Sequence, residues 1–487
     1  MSAYRPLLPL LLSVFLLGVT ACATNPATGK DEFVMMSEKQ ELELGQQYAA
    51  QIMEQMPILP KNDPLAQYVN YVGQKVAKTA DRKELFYHFY VVDDDTINAF
   101  ALPGGYIFVH RGLINHFNTE AELAAVLGHE LGHVTARHAV QQYTKIQGYQ
   151  LGMGIASIFV PIPQAAFELS NVLAGALISG FGRENELQSD ELSIKYLQAA
   201  GYDVHATERI LQTLHRLDEI DTKERTDAGE KVEKYHGAFS SHPETKKRIE
   251  EVVAKTTQNE AIAIDHHSEM LKAVEGYPYG DSPDEGAAIG QHFIHPKLGI
   301  QLDFPDNWVI KNTKQALTAR LRQQQVYFMM TAGQLQKRYS AKEVLESMFP
   351  KRHMGVIRTG RQSGFEYASV IVDTSALHVS QATILATVWL DGSRVFRTLL
   401  WCERGRLTEY LRDFDAINAS FRRYDQKRDG DVPRIRLHTW KAGDSWKKLA
   451  IASNNILGRF TAERLAALNG FDADKQPRAG YLIKIVR

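Results

Sequence analysis

His129-Glu130-Leu131-Gly132-His133 lies inside Ala121–Val140, an apolar stretch long enough to be a buried helix. Nothing else in the chain limits its fold as much, because a helix that buries two histidines and a glutamate needs something to offset their desolvation. At i, i+4 spacing both imidazoles leave the same helix face, and Glu130 between them reaches a water on a metal that they share. Two histidines hydrogen-bonded in an ordinary core are the competing reading, and the buried glutamate argues against it.

The residues after the second histidine exclude one class of zinc site. The metzincin pattern needs a glycine three residues on and a third histidine six on, and Ala136 and Ala139 stand there. A carboxylate from a second helix remains, and Arg183-Glu184-Asn185-Glu186-Leu187-Gln188-Ser189-Asp190 offers it. Glu186 and Asp190 are i, i+4, so one can bind the ion while the other holds a ligand histidine's second nitrogen. Glu184 and Glu191 are rival ligands, and solvated helix charges are the plain alternative.

With 487 residues the chain exceeds one ordinary core, so about two to four domains are expected. Its 44% hydrophobic and 23% charged content is that of a globular protein, and a net charge of -1 gives no ground for a nucleic-acid partner. Arg5 precedes a leucine-rich run to Leu17, too short to span a bilayer and typical of a signal peptide over 1–21. The run closes on Val19-Thr20-Ala21-Cys22, which resembles a bacterial lipobox with Cys22 as the lipid-bearing residue. Ala23 behind it resembles sorting to the outer membrane, facing the periplasm. An ordinary signal peptide cleaved at Ala21 or Ala23 is the alternative. With Cys22 lipidated no intramolecular disulfide can form, because Cys402 is the only other cysteine and reads as a buried small residue.

The pattern along the chain predicts an α+β protein. Residues 22–36 read as a tether, and 37–276 as a mostly helical zinc-peptidase domain with a small edge sheet. Helices are expected over 37–56, 63–80, 120–143 without interruption, and 184–200 up to Gly201. Residues 87–93 read as a strand, and 98–102 and 106–110 as a hairpin around Pro103-Gly104-Gly105. The Gly- and Ala-rich stretch 148–182 reads as buried helices or a flap over the site rather than a membrane hairpin. After the turn-rich 277–286, strands dominate a separate α+β domain over 287–425. A charged linker then leads to a third small unit over 434–487.

Four segments carry a resemblance over about residues 25–255: Asn25-Pro-Ala-Thr-Gly-Lys30, Asn98-Ala-Phe-Ala-Leu-Pro-Gly-Gly105, His129–His133 with Arg137-His138, and Arg183-x-x-Glu186-x-x-Ser189-Asp190. They are similar to the HtpX/BepA-type bacterial metallopeptidases, gluzincins related to the CAAX prenyl proteases. The resemblance implies one zinc per chain, with His129, His133 and Glu186 as ligands, Asp190 behind a ligand histidine, and Glu130 as general base. Ser189 and Gly182 depart from the family's usual alanine and serine at positions that bind no metal. Ser241-His242-Pro243 with Arg248 is also family-like and implies His242 at the ion's open position or near substrate. His110, His116, His138, His236 and His292 read as structural.

Glu130 would take the proton of a zinc-acidified water and pass it to the leaving amine. The hairpin would offer an edge strand to an extended peptide, which suits unfolded polypeptide substrates. Gly290–Trp308 resembles the start of a PsbP-like domain. Trp440–Ala450 with the 468–486 end resembles a divergent LysM glycan-binding module. Residues 421–487 hold 15 Lys/Arg against 7 Asp/Glu, a charge that suits membrane or peptidoglycan. The expected function is a lipid-anchored periplasmic endopeptidase for envelope quality control. An envelope scaffold or holdase with latent catalysis is the alternative, which the intact His-Glu-x-x-His disfavours.

Overall fold

The computed structural model describes residues 22–145, 180–227, 242, 245–256, 264–373, 382–454, 456–457 and 460–487. The signal-like run at 1–21, most of the stretch at 148–182, and His236 lie outside the described residues. The chain divides into two compact units, residues 1–277 with 434–487, and residues 278–433. Among the described residues no helix is long and apolar enough to cross a membrane.

In the first unit, the expected tether is built into the fold: β1 (Cys22–Thr24) pairs antiparallel with β2 (Asp31–Phe33). Helix α1 (Glu38–Gln55) starts at a capping box in which Ser37 and Gln40 satisfy each other's backbone N–H. Helix α2 (Pro64–Ala77) starts at Asp63, and its Leu65, Val69, Val72 and Val76 are buried at helical spacing. Strands β3 (His88–Val92), β4 (Ala99–Leu102) and β5 (Tyr106–His110) form a sheet in the order β3-β5-β4. The hairpin between β4 and β5 turns at Gly104 and Gly105, whose φ values of 79° and 93° favour glycine. Strand β4 is therefore left at the sheet edge.

Helix α3 (Glu120–Thr135) is capped by the Thr119 hydroxyl and carries the histidine pair. Helix α4 (Arg183–Ala200) packs along it and ends at Gly201 in the left-handed region. Gly132 marks their close approach, since a Cβ there would stand 3.0 Å from Ser189 Cα. Helices α5 (Ala206–Asp227), α6 (Thr245–Thr256) and α7 (His267–Val274) complete this part.

The helix expected over 120–143 is interrupted. Helix α3 stops at Thr135, Arg137 takes a φ of 57°, and helical backbone resumes at His138. Distant residues hold this break. Arg137 Nε donates to the buried Glu41 of α1 at 2.9 Å. The Ala136 carbonyl accepts from Asn25 Nδ2 at 3.0 Å and from Gln141 Nε2 at 2.9 Å. A carbonyl orphaned at a helix end is thereby satisfied, and Asn25, buried between β1 and β2, does part of it.

The second unit contains β6 (Ala287–Ile289), β7 (His292–His295) and β8 (Ile300–Asp303), which with β16 (Arg422–Arg423) form a four-stranded sheet. A seven-stranded sheet uses β9 (Trp308–Asn312), β10 (Leu317–Leu321), β11 (Tyr327–Gln334), β12 (Arg358–Gln362), β13 (Phe365–Asp373), β14 (Ala382–Asp391) and β15 (Arg394–Glu403). Its order is β12-β13-β14-β15-β11-β10-β9. Alternation along the strands gives it two apolar faces. Phe365, Trp389 and Phe396 pack with Phe414 of α9 (Leu407–Ser420), while Ala368, Val370 and Val388 pack with Leu345 of α8 (Ala341–Met348). Cys402 is buried on the first of these faces.

The last residues run β17 (Ile435–Thr439), α10 (Trp446–Ala452), α11 (Thr461–Leu468) and β18 (Leu482–Val486), with the two strands antiparallel. The sequence separates 434–487 as a third unit, whereas these elements share one compact unit with residues 1–277. Lys484 is fully buried, and its Nζ donates to the Asn115 and Phe117 carbonyls at 2.7 Å each. Arg464 of α11 bonds Asp221 and Glu224 of α5 at 2.7 and 2.6 Å. Part of the local basic excess is thus spent inside the unit.

Candidate metal centre

Helix α3 presents His129, Glu130 and His133, and the facing α4 presents Glu186 and Asp190, all buried. His242, ahead of α6, joins them. Ligand atoms of His129, His133, Glu186 and His242 lie within 4.8 Å of one another. His129 Nε2 stands 3.0 Å from His133 Nε2 and 3.4 Å from Glu186 Oε2, and His133 Nε2 is 3.5 Å from Glu186 Oε1. His242 Nδ1 is 3.4 Å from His129 Nε2 and 3.0 Å from Glu186 Oε1. Ligands at about 2.0–2.1 Å on a tetrahedral zinc are about 3.3 Å apart. The spacing and the nitrogen and oxygen donors fit that ion.

Glu130 gives a second test of the fit. Its Oε2 is buried without a hydrogen-bond partner, and its Oε1 lies 3.6 Å from His242 Nε2. Burial pushes its carboxyl pKa up against the lowering effect of His242 and His129. An orphaned carboxyl oxygen beside a metal-binding cluster is placed to bond a water.

The second nitrogens of the α3 histidines are also held. His129 Nδ1 is 2.9 Å from Asp190 Oδ1, which fixes the proton there and leaves the Nε2 lone pair for an ion. Arg248 clamps Asp190 through Nε and Nη2, both at 2.8 Å, and its Nη1 lies 3.1 Å from Glu186 Oε2. Burial alone would push His129 down, but Asp190 and Glu186 raise it to about 9, a sign of a field that draws in positive charge. Burial opposes the charge on Glu186 too, yet His242 and Arg248 hold it well below the usual carboxylate range.

His133 has a partner that the sequence alone marks only as structural. His138 Nδ1 is 2.8 Å from His133 Nδ1, and His138 Nε2 is 2.7 Å from Gln188 Oε1. Burial pushes His138 down to about 4, which keeps it neutral and able to accept from His133. In an unbroken helix a residue five on points about 140° away, so the break at Arg137 is what turns His138 back. The trailing Arg137-His138 pair was the available signal.

The remaining candidates fall elsewhere. Glu184 and Glu191 are exposed, and Glu191 pairs with Lys255 at 3.1 Å. His110 bonds Asp94, His116 bonds the Gly112 carbonyl, and His292 bonds Asp303. Cys22 lies in β1 with its backbone paired to Phe33. Strand β4 borders the cluster, with the Ala99 carbonyl 3.4 Å from His242 Nε2.

Residues 64–256 match the sequence profile of Peptidase family M48. The chain is 35% identical over 198 residues to the beta-barrel assembly-enhancing protease of Yersinia pestis, covering 39% of this chain and 40% of that protein. It is 33% identical over 201 residues to the same-named protein of Escherichia coli K12, covering 39% and 41%. Mitochondrial metalloendopeptidase OMA1 of Arabidopsis thaliana is 31% identical over 189 residues, covering 39% and 35%. The chain thus spans about two-fifths of the length of these curated relatives. Among solved structures, cyanobacterial PsbP from Synechocystis is similar at 15% identity and a TM-score of 0.23, covering 28% of this chain and 92% of that one. Residues 64–256, which hold the histidine and glutamate cluster, are thus similar to Peptidase family M48 and to the beta-barrel assembly-enhancing proteases and OMA1 metalloendopeptidases that share this stretch.

Proposed function

We propose that the chain is a zinc metalloendopeptidase that cleaves unfolded or misassembled envelope proteins. The observation that carries this reading is the buried, unpartnered Oε2 of Glu130 beside the cluster of His129, His133 and Glu186. Zinc held by those three residues would acidify a water and polarise the peptide carbonyl. Glu130 accepts the water's proton and delivers it to the leaving amine. Asp190, locked by Arg248, keeps His129 in the tautomer that binds the ion. Strand β4 lies at the sheet edge, and an extended peptide adds to it through backbone hydrogen bonds, which asks little of the substrate's sequence. His242 would hold the ion's remaining position and withdraw when substrate arrives.

The names of the relatives support a role in envelope protein quality control. In this reading Cys22 carries the lipid anchor at the outer membrane, facing the periplasm. The LysM-like β-α-α-β end serves docking to peptidoglycan. The test is zinc content and casein cleavage of the purified protein and its variants. Wild type should hold about one zinc, and His129→Ala, His133→Ala and Glu186→Ala should lose it. Glu130→Gln should keep zinc and fold while losing activity by several orders of magnitude; near-normal turnover in that variant would sink the reading. Membrane fractionation of Cys22→Ser tests the anchor, and retention in the outer membrane after a salt wash would disprove it.

A further inference from the structure

Beside His129 and Glu130 a cleft opens between α3 and α5. Away from the charged cluster its wall is formed by Leu113, Val126, Ile210, Leu211 and Leu214. Among the described residues Asn98 stands at the β4 side of the cleft, and Thr207 interrupts the aliphatic wall itself. Thr207, in the first turn of α5, is 3% exposed, and its Oγ1 is buried without a hydrogen-bond partner. An unpaired buried hydroxyl is destabilising, and valine would fill the same volume without it. A mostly apolar cleft with an unsatisfied hydroxyl, beside the candidate general base Glu130 and its own unpartnered oxygen, has the makings of a ligand site.

We propose that this cleft receives one substrate side chain adjacent to the scissile bond, bulky and apolar but with a hydrogen-bonding tip, and so prefers tyrosine to phenylalanine. The inference rests on the peptidase reading and adds a substrate preference to it. Two features select the side chain. The aliphatic wall rewards a large apolar surface, so alanine or serine gains little there. The Thr207 hydroxyl rewards a partner group, and a ring that ends in O–H meets both conditions. A phenylalanine fills the space and leaves the hydroxyl unpaired. The scissile carbonyl has to lie within reach of Glu130, which lines the same cleft, so the selected residue is an immediate neighbour of the cut.

The experiment uses the full-length zinc-loaded protein and peptides that differ only at the two positions flanking one scissile bond. Tyrosine at one of those positions should exceed phenylalanine about ten-fold in kcat/KM, and both should exceed alanine by more. Thr207→Val should bring tyrosine level with phenylalanine, while Thr207→Ser should keep the preference. Dissociation constants of the same peptides on Glu130→Gln, read by fluorescence anisotropy, should follow the same order. Equal cleavage and equal binding of the tyrosine and phenylalanine peptides would overturn the cleft assignment, as would an unchanged ratio in Thr207→Val. A wild type that cleaves no peptide yet binds them in the stated order would overturn the peptidase reading and support the cleft.

Discussion

At His133 the metal-facing nitrogen depends on what the other nitrogen does. Its Nδ1 lies against His138 Nδ1, and His138 leans in turn on Gln188, so a proton on His133 Nδ1 orients the ring. His138→Phe keeps the bulk and removes the acceptor. Zinc affinity, measured by competition with a chelator, should fall about 10–100-fold; unchanged affinity would reduce His138 to a packing residue. His242 calls for the opposite test. Its Nδ1 sits where a fourth ligand belongs, and three protein ligands leave zinc only one position for water. His242→Ala should therefore raise basal casein cleavage at unchanged zinc content. A clear fall in turnover would mean that His242 serves the reaction directly, and no change would leave it structural.

At the scale of elements, the β4–β5 hairpin is closely held, because α1 packs against its turn. A Cβ on Gly45 of α1 would stand 1.8 Å from the Pro103 carbonyl oxygen, so helix or hairpin must move to admit alanine. Gly45→Ala should cost about 1–3 kcal/mol in urea unfolding and lower peptidase turnover, since the hairpin carries the edge strand. A wild-type unfolding midpoint would show that the turn yields freely. The existence and type of the main elements around the site were legible from periodicity, capping residues and the Pro-Gly-Gly turn. The end of α3 was not. Residues 120–143 show no helix breaker; the break depends on Glu41 and Asn25, which are remote in sequence.

Across the whole molecule, the last residues join the peptidase unit through a buried amine. Lys484 packs against the Asn115 and Phe117 carbonyls, and burial pulls it from 10.5 down to about 7, with Glu122 opposing. The folded value is below the unfolded one. Between about pH 7 and 10.5 the unfolded chain therefore holds a proton that the folded chain has released, and raising the pH favours folding. Glu122, raised by its own burial, and Arg209, which faces it, shift the acid side of the profile instead. Thermal unfolding of the wild type should show stability rising over about pH 7–10, and Lys484→Met should lack that rise. The variant should also lose on the order of 1–3 kcal/mol from carbonyls left unpaired. Identical pH profiles would show that Lys484 is not buried in solution.

The sequence by itself determined the pairing of His129 with His133, the place of Glu130, and the exclusion of a third histidine at Ala139, because these depend on spacing along one helix. Spacing alone left Glu184, Glu186, Asp190 and Glu191 open, since four acids on one helix look alike until a neighbour fixes which face is inside, and only the family resemblance implied Glu186 as ligand with Asp190 behind a histidine. Tertiary packing separates them by burial. Gly132 lets α4 come close to α3, which buries Glu186 and Asp190 against the histidines and leaves Glu184 and Glu191 in solvent. The roles of His138, Asn25 and Lys484 were likewise settled only in three dimensions. Each acts through a hydrogen bond to a group far along the chain or beyond a helix break, and local sequence pattern does not encode such partners.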